Sequence, residues 1–328
     1  MTPSRIGICL GDPGGIGPEV VIKALLETRA LARSHALVVF GDRDIVEAAL
    51  REQGGGLEFE AWDEARAGRP GRFIFHVGAD RKALEKGRPA AANGAASFAF
   101  FEAAVEKAGC GALDAVVTGP VSKEAWALAG VGWRGHTDYL EHLHPSAKMT
   151  FWSDELRLAL FSHHLPLKEA LGLVRKEALV RFLAGLHNDL AELDALPAEF
   201  LLAGLNPHAG EGGLLGREEK DEIIPAVEEA RRGGIRVTGP YPPDSILLRA
   251  FRRPDVMVVA LYHDQGLTGF KLVSFRKGVN ATLGLPFVRT SPDHGTGFDL
   301  AGRGVADPGS AIEALLLAAR FAAARKRR

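Results

Sequence analysis

Residues 254–271 read PDVMVVALYHDQGLTGFK, and the fold turns on how this stretch is interpreted: an apolar run stops abruptly at Tyr262-His263-Asp264-Gln265-Gly266. A short apolar run bounded by polar residues reads as a buried strand. Two other places repeat the arrangement. Residues 156–161 run into Ser162-His163-His164-Leu165-Pro166, and residues 200–205 run into Asn206-Pro207-His208-Ala209-Gly210. In open α/β sheets ligands collect beyond the carboxyl ends of the strands, so three imidazoles far apart in sequence could converge on one site.

Outward from these strand ends, strand and helix patterns alternate. Strand-like MTFW, LRLALFS, FLLAGL and IRVTG are interleaved with helical spacing at 167–173, 177–192 and 218–232. Toward the N-terminus, strand patterns at 6–10, 36–40, 73–77 and 115–121 have helical patterns between them, notably 95–107. Such alternation predicts an α/β protein. Residues 53–72, richer in Gly and charge, read as loops and edge strands. The final segment, VNATLGLPFVRTSPDHGTGFDLAGRG and a helix over 310–325, reads as a return to the first lobe. The expected lobes are 1–130 plus 285–328, and 131–284.

At 328 residues the chain can bury roughly three quarters of its unfolded surface. Its 40 basic and 41 acidic residues give a formal charge of −1, so net charge favours neither nucleic acid nor a membrane surface. Any anion site must be local. Cys9 and Cys110 are the two cysteines, which excludes a four-cysteine metal site and suits a reducing compartment, the cytoplasm by default. The early apolar run 6–10 is too short for a signal peptide, and no run approaches a spanning helix. Arg325-Lys326-Arg327-Arg328 reads as a frayed, solvated helix end.

The first strand leads into Gly11-Asp12-Pro13-Gly14-Gly15-Ile16-Gly17-Pro18-Glu19 and then a helical pattern. Pro18 and Glu19 suit a helix's first turn. A dinucleotide fingerprint counted from Gly15 and Gly17 would need glycine where Val20 stands, so this is not a Rossmann domain. The glycines serve either a tight turn or the approach of backbone to a ligand. Gly135-His136-Thr137 opens another helical pattern; the pair can bind an anion there, or Thr137 can simply cap the helix.

A lone histidine after a strand is commonly structural, but three of them, His164, His208 and His263, could hold a divalent ion and leave positions open for a substrate oxygen. Near His208, Gly210, Gly212 and Gly213 permit close backbone approach and are candidate cofactor contacts. Lys271, Asn280 and Arg289 together could clamp a phosphate or carboxylate. Asp244 and Asp264 could orient ligands or accept a proton, although turn chemistry explains Asp after Pro equally well.

GDPGGIGPE, VVTGPVSKE, GHTDYLE, HLPL, GLNPHAGEGG, GPYPPDS, YHDQGL and VNATLGLPFVRTSPDHGTG resemble, in this order, the motifs of the 4-hydroxythreonine-4-phosphate dehydrogenase family of pyridoxal phosphate biosynthesis. The resemblance implies a two-lobed α/β/α unit similar to isopropylmalate dehydrogenase. It implies that His164, His208 and His263 bind a divalent metal ion (zinc, cobalt or magnesium), and that His136, Thr137, Lys271, Asn280 and Arg289 contact the phosphorylated substrate. It further implies a homodimer whose metal site draws histidines from both subunits, His263 of one reaching His164 and His208 of the other. The implied reaction is oxidation of 4-hydroxy-L-threonine 4-phosphate by NAD or NADP and decarboxylation to 3-amino-2-oxopropyl phosphate.

Three positions depart from the family pattern: His163 stands where threonine is common and is a rival ligand to His164, Gly297 replaces alanine, and Ser122 lies where some members carry histidine. Relatives that oxidise erythronate or threonate 4-phosphate, or dihydrodiol carboxylates, are therefore alternative models for the substrate. A three-histidine metal hydrolase, working without NAD, is the alternative from another class, and a phosphate-ligand sensor the non-catalytic one.

Overall fold

The structure, a computed structural model, describes residues 3–63 and 68–327. Residues 64–67 of the Gly-rich segment and Arg328 of the basic tail lie outside the described residues. Along the chain come β1 (Ser4–Cys9), α1 (Gly17–Glu27), β2 (His35–Gly41), α2 (Arg43–Glu52), β3 (Glu60–Ala61), β4 (Gly71–His76), α3 (Ala91–Gly109), β5 (Ala115–Thr118), α4 (Lys123–Leu128) and α5 (His136–Leu143). Then follow β6 (Lys148–Trp152), β7 (Arg157–Leu160), α6 (Leu167–Gly172), α7 (Lys176–Glu192), β8 (Glu199–Ala203), α8 (Ile224–Arg232), β9 (Val237–Tyr241), α9 (Pro243–Ala250), β10 (Val256–Ala260), α10 (His263–Ser274) and β11 (Val279–Leu283). β12 (Val288–Pro292) and α11 (Gly309–Arg325) complete the chain. Among the described residues no helix is long and apolar enough to cross a membrane.

Two compact units divide the chain: residues 1–145 with 285–328, and residues 146–284. The first boundary lies beyond the expected 130, because α5 packs into the first unit. The His136 ring packs tilted against Phe101 at 4.4 Å and edge-on to Trp126 at 5.4 Å, and Tyr139 meets Phe98 and Phe101 at 5.7 and 5.3 Å. Aromatic contacts of this kind hold α5 to the first unit.

In the first unit the strand order is β3-β4-β2-β1-β5-β12, every pair parallel. β1 and β2 are buried almost throughout, as a parallel sheet covered on both faces requires. The glycine loop between β1 and α1 packs against its own chain: a Cβ on Gly15 would stand 2.5 Å from the Thr296 carbonyl oxygen. Glu19 does more than face the dipole of α1; its Oε1 accepts from the Ala306 N–H at 2.8 Å and from Lys23 Nζ at 2.7 Å.

In the second unit the order is β11-β6-β7-β10-β8-β9, with β6 antiparallel to both neighbours and the other pairs parallel. Leu158, Val258 and Leu201 share one register line across β7, β10 and β8. Three adjacent parallel strands therefore end together, and each ends in a histidine turn. Beneath them Phe151, Leu158, Leu201, Ile246, Val258 and Phe270 form one core. Burying such side chains contributes about 1.5–3 kcal/mol each and fixes the strand ends relative to one another.

Candidate metal and substrate site

His164 follows β7, His263 is the first residue of α10, and His208 lies in the turn Pro207–Gly213 after β8. α10 is an element that the sequence pattern alone did not reveal. The rings of His164 and His263 stand 5.6 Å apart, centre to centre, within one chain. Two imidazoles bound to one ion at about 2.0–2.1 Å and near-tetrahedral angles have ring centres roughly 5 Å apart, so this pair fits a shared ion. His263 Nδ1–H donates to Asp264 Oδ1 at 2.7 Å, which leaves Nε2 with the lone pair an ion requires. Asp264 thus orients the His263 ring. Among the described residues no three His, Cys, Asp or Glu side chains cluster closely enough to hold an ion by themselves.

The two remaining histidine turns are strained. His164 and His208 have φ of 51° and 54°, and His208 through Gly212 all lie in the left-handed region. Each L-residue held there costs about 1–2 kcal/mol, and such strain collects at functional sites. Gly210 was a candidate cofactor contact, but its missing Cβ makes room for Glu219, whose Oε2 would be 2.6 Å from it. Gly212 and Gly213 have open space where a side chain would be. His163, the rival to His164, packs its ring on His164 at 5.2 Å.

Polar side chains outside the expected set tie these strand ends together. Ser162 Oγ donates to the Leu261 carbonyl at 2.7 Å, linking the end of β7 to the end of β10. Gln265 accepts from the Leu261 N–H and donates to the Gly204 carbonyl, both at 2.7 Å, linking β10 to β8. Buried Glu219 begins a single π turn, Glu219–Ile223, and accepts from the Leu205 and Asn206 N–H groups at 2.8 and 2.7 Å. None of these residues follows from motif chemistry in isolation; only the adjacent strand ends give them their partners.

A second constellation lies in the first unit. Arg289 on β12 is 3% exposed and donates to Thr118 Oγ1 at 2.9 Å and to His136 Nδ1 at 3.4 Å. Burial pushes its pKa down to about 10, still cationic at neutral pH. Because a guanidinium only donates, His136 Nδ1 must accept, and the proton sits on Nε2. Burial first, and the Arg289 charge second, hold the His136 pKa well below its usual value, so the ring is neutral. Its Nε2 is buried with no hydrogen-bond partner among the described residues. A buried N–H donor beside a guanidinium at a helix N-terminus suits an anion.

Thr137 does not cap α5. Gly135 occupies the N-cap and no side chain caps the helix, so Thr137 lies inside the first turn, where its N–H is one of the helix's open donors. Ser122 is itself a cap, its Oγ accepting from the Ala125 N–H at 3.1 Å. Gly297 has φ 52°, which explains glycine in place of alanine there. In the second unit, Lys271 is an exposed residue of α10, Asn280 is buried in β11, and Asp244 is exposed in the first turn of α9. A cavity bordered by Glu199, Arg236, Val237, Arg253 and Asp255 lies at the opposite, amino ends of β8 to β10, and Arg253 is already paired with Asp255 at 2.9 Å.

Asp12, fully buried in the glycine loop, accepts from the Gly14 N–H at 2.8 Å, and burial pushes its pKa up to about 6 from 3.8. The unfolded chain ionises first, so stability present below about pH 4 is lost as pH rises through 6, on the order of 3 kcal/mol. Asp12→Asn keeps the acceptor and removes the buried charge. Thermal melts at pH 4.5 and 7 should show a smaller decline in stability for the variant than for the parent; equal declines would contradict the assignment.

Residues 33–318 match the family model described as Pyridoxal phosphate biosynthetic protein PdxA. A 4-hydroxythreonine-4-phosphate dehydrogenase of Desulforapulum autotrophicum is 38% identical over 97% of this chain and 96% of its own length. A D-threonate 4-phosphate dehydrogenase of Cupriavidus necator is also 38% identical, over 98% of each chain. The crystal structure of 4-hydroxythreonine-4-phosphate dehydrogenase from Klebsiella pneumoniae superposes with a TM-score of 0.83 at 35% identity, covering 97% of this chain and 99% of that one. A β-decarboxylating dehydrogenase from Thermococcus kodakarensis, 17% identical with a TM-score of 0.51 over 98% and 87%, shares the fold, the α/β class of isopropylmalate dehydrogenase. The chain is a dehydrogenase and belongs to the 4-hydroxythreonine-4-phosphate dehydrogenase family.

Proposed function

We propose that the protein oxidises 4-hydroxy-L-threonine 4-phosphate with NAD or NADP and releases the carboxylate as CO2, leaving 3-amino-2-oxopropyl phosphate, in a metal-dependent reaction. The observation that carries this reading is the His164–His263 pair, spaced for one ion and oriented by Asp264. His164, His208 and His263 are the ligands we assign to a divalent ion. Bound there, such an ion supplies Lewis acidity to the substrate's hydroxyl and later keto oxygen. A bound nicotinamide would supply the hydride acceptor.

The chain's own groups bind and orient. Arg289 and the His136 Nε2–H are the donors we assign to the phosphate, together with Thr137, Lys271 and Asn280, so that remote binding energy positions the reacting carbon. A second copy of the chain is the proposed partner. The elements that carry the histidines also expose Leu165 and Leu167, Leu214 at 84%, Leu272 at 85% and Phe275 at 67%, apolar surface that an interface would cover.

A second reading, D-threonate 4-phosphate as substrate, is favoured by one observation: a relative of that name is as similar as the 4-hydroxythreonine-4-phosphate relative, at 38% identity. Incubation with NAD or NADP and a divalent ion, with either substrate, should produce NAD(P)H absorbance fastest with the hydroxythreonine compound. Faster turnover of the threonate would transfer the assignment to it. Phosphate release without NAD(P) would replace both with the hydrolase.

A further inference from the structure

We propose that Glu219 is a positioning residue: it holds the left-handed turn that presents His208, and so sets the ion affinity of the histidine site. This rests on the assignment of His208 as an ion ligand. Glu219 is 3% exposed yet carries a carboxylate, and the turn before His208 satisfies it: Oε1 receives the N–H groups of Leu205 and Asn206, and Oε2 the Asn206 side-chain amide at 2.9 Å. The Asn206 amide also donates to Glu218 Oε2 at 2.7 Å. On the far side of Asn206 the backbone enters the left-handed run from His208 to Gly212, and Gly210 comes so close that a Cβ there would meet the Glu219 carboxylate.

Gln265 extends the same network. It joins Gly204, the residue before this turn, to Leu261, the end of the strand that leads into His263. The carboxylate of Glu219 and the amide of Gln265 therefore bridge the roots of two histidine turns on adjacent strands. A π turn at Glu219 is consistent with that demand, since such turns re-aim a side chain that an ordinary helix would point elsewhere. Groups that orient an ion's ligands typically alter affinity about 10–100-fold when removed.

The test uses full-length protein, metal-free and then titrated with Co2+, comparing the parent with Glu219→Gln and Glu219→Ala. In the metal-free state, hydrogen exchange over 204–213 should speed up in both variants while β1 and β2 stay protected. Co2+ affinity, read from visible absorption, should fall about 10–100-fold in Glu219→Ala and less in Glu219→Gln, which keeps one acceptor oxygen. Unchanged exchange over 204–213 in Glu219→Gln overturns the proposal, and so does parent-like Co2+ affinity in a variant whose exchange has risen. If Glu219→Ala does not fold, Glu219→Gln decides by the same two readings. Failure of the parent to bind Co2+ removes the ion site itself and with it the proposed effect on affinity, while the exchange result still decides whether Glu219 holds the turn.

Discussion

Alanine at His208 or at His263 is expected to lower kcat/KM about 1,000-fold, the equivalent of several kcal/mol of Lewis-acid stabilisation. The informative experiment mixes variants under conditions where subunits exchange. His164 and His263 stand side by side in one chain, whereas the family resemblance implies that His263 works opposite His164 and His208 of a partner. If one subunit supplies His164 with His263 and the other supplies His208, mixing His208→Ala with His263→Ala regenerates an intact site, but mixing His164→Ala with His263→Ala does not. Recovery in both mixtures would instead place His263 alone across the interface. No recovery in either, with exchange confirmed, would put all three ligands in one chain and end the shared-site reading.

Replacing Arg289 with methionine is expected to raise KM for the phosphorylated substrate about 100- to 1,000-fold. A guanidinium offers a phosphate two charge-assisted hydrogen bonds of about 1.5–3 kcal/mol each, and each 1.4 kcal/mol is tenfold in affinity. The fold should survive. Removing the buried charge relieves its desolvation, while Thr118 Oγ1 and His136 Nδ1 lose a donor, so the two effects oppose and the melting temperature should change little. Steady-state kinetics on the phosphorylated substrate and its unphosphorylated analogue separate the cases, since the analogue should lose little. An unchanged KM for the phosphorylated compound would remove Arg289 from substrate binding.

The α/β class was legible because strand and helix periods alternate along the chain, and runs such as VMVVA can be nothing but buried when they are as continuously apolar as β10. Helix limits were legible where local chemistry ends a helix, as at Arg231 to Gly234. They failed at α10, because HDQGLTGF contains two glycines and a polar start that read as loop; packing of Leu267 and Phe270 into the core overrides those weak propensities. Thr137 was left open between cap and anion contact for a related reason. Its sequence neighbours allow a cap, but the backbone of Gly135, at φ 142°, takes the capping position and moves Thr137 into the first turn.

By itself, then, the sequence determined the alternation of elements, the three histidine-bearing strand ends and the family motifs, because each of these is written in a contiguous stretch. Only the tertiary structure decided which strand ends are neighbours, that His164 pairs with His263, and that Arg289 fixes the tautomer of His136. It alone disclosed Thr118, Ser162, Gln265 and Glu219, since a buried carboxylate or amide acquires a role from the backbone groups it satisfies. Those groups come from other strands, and no local pattern names them.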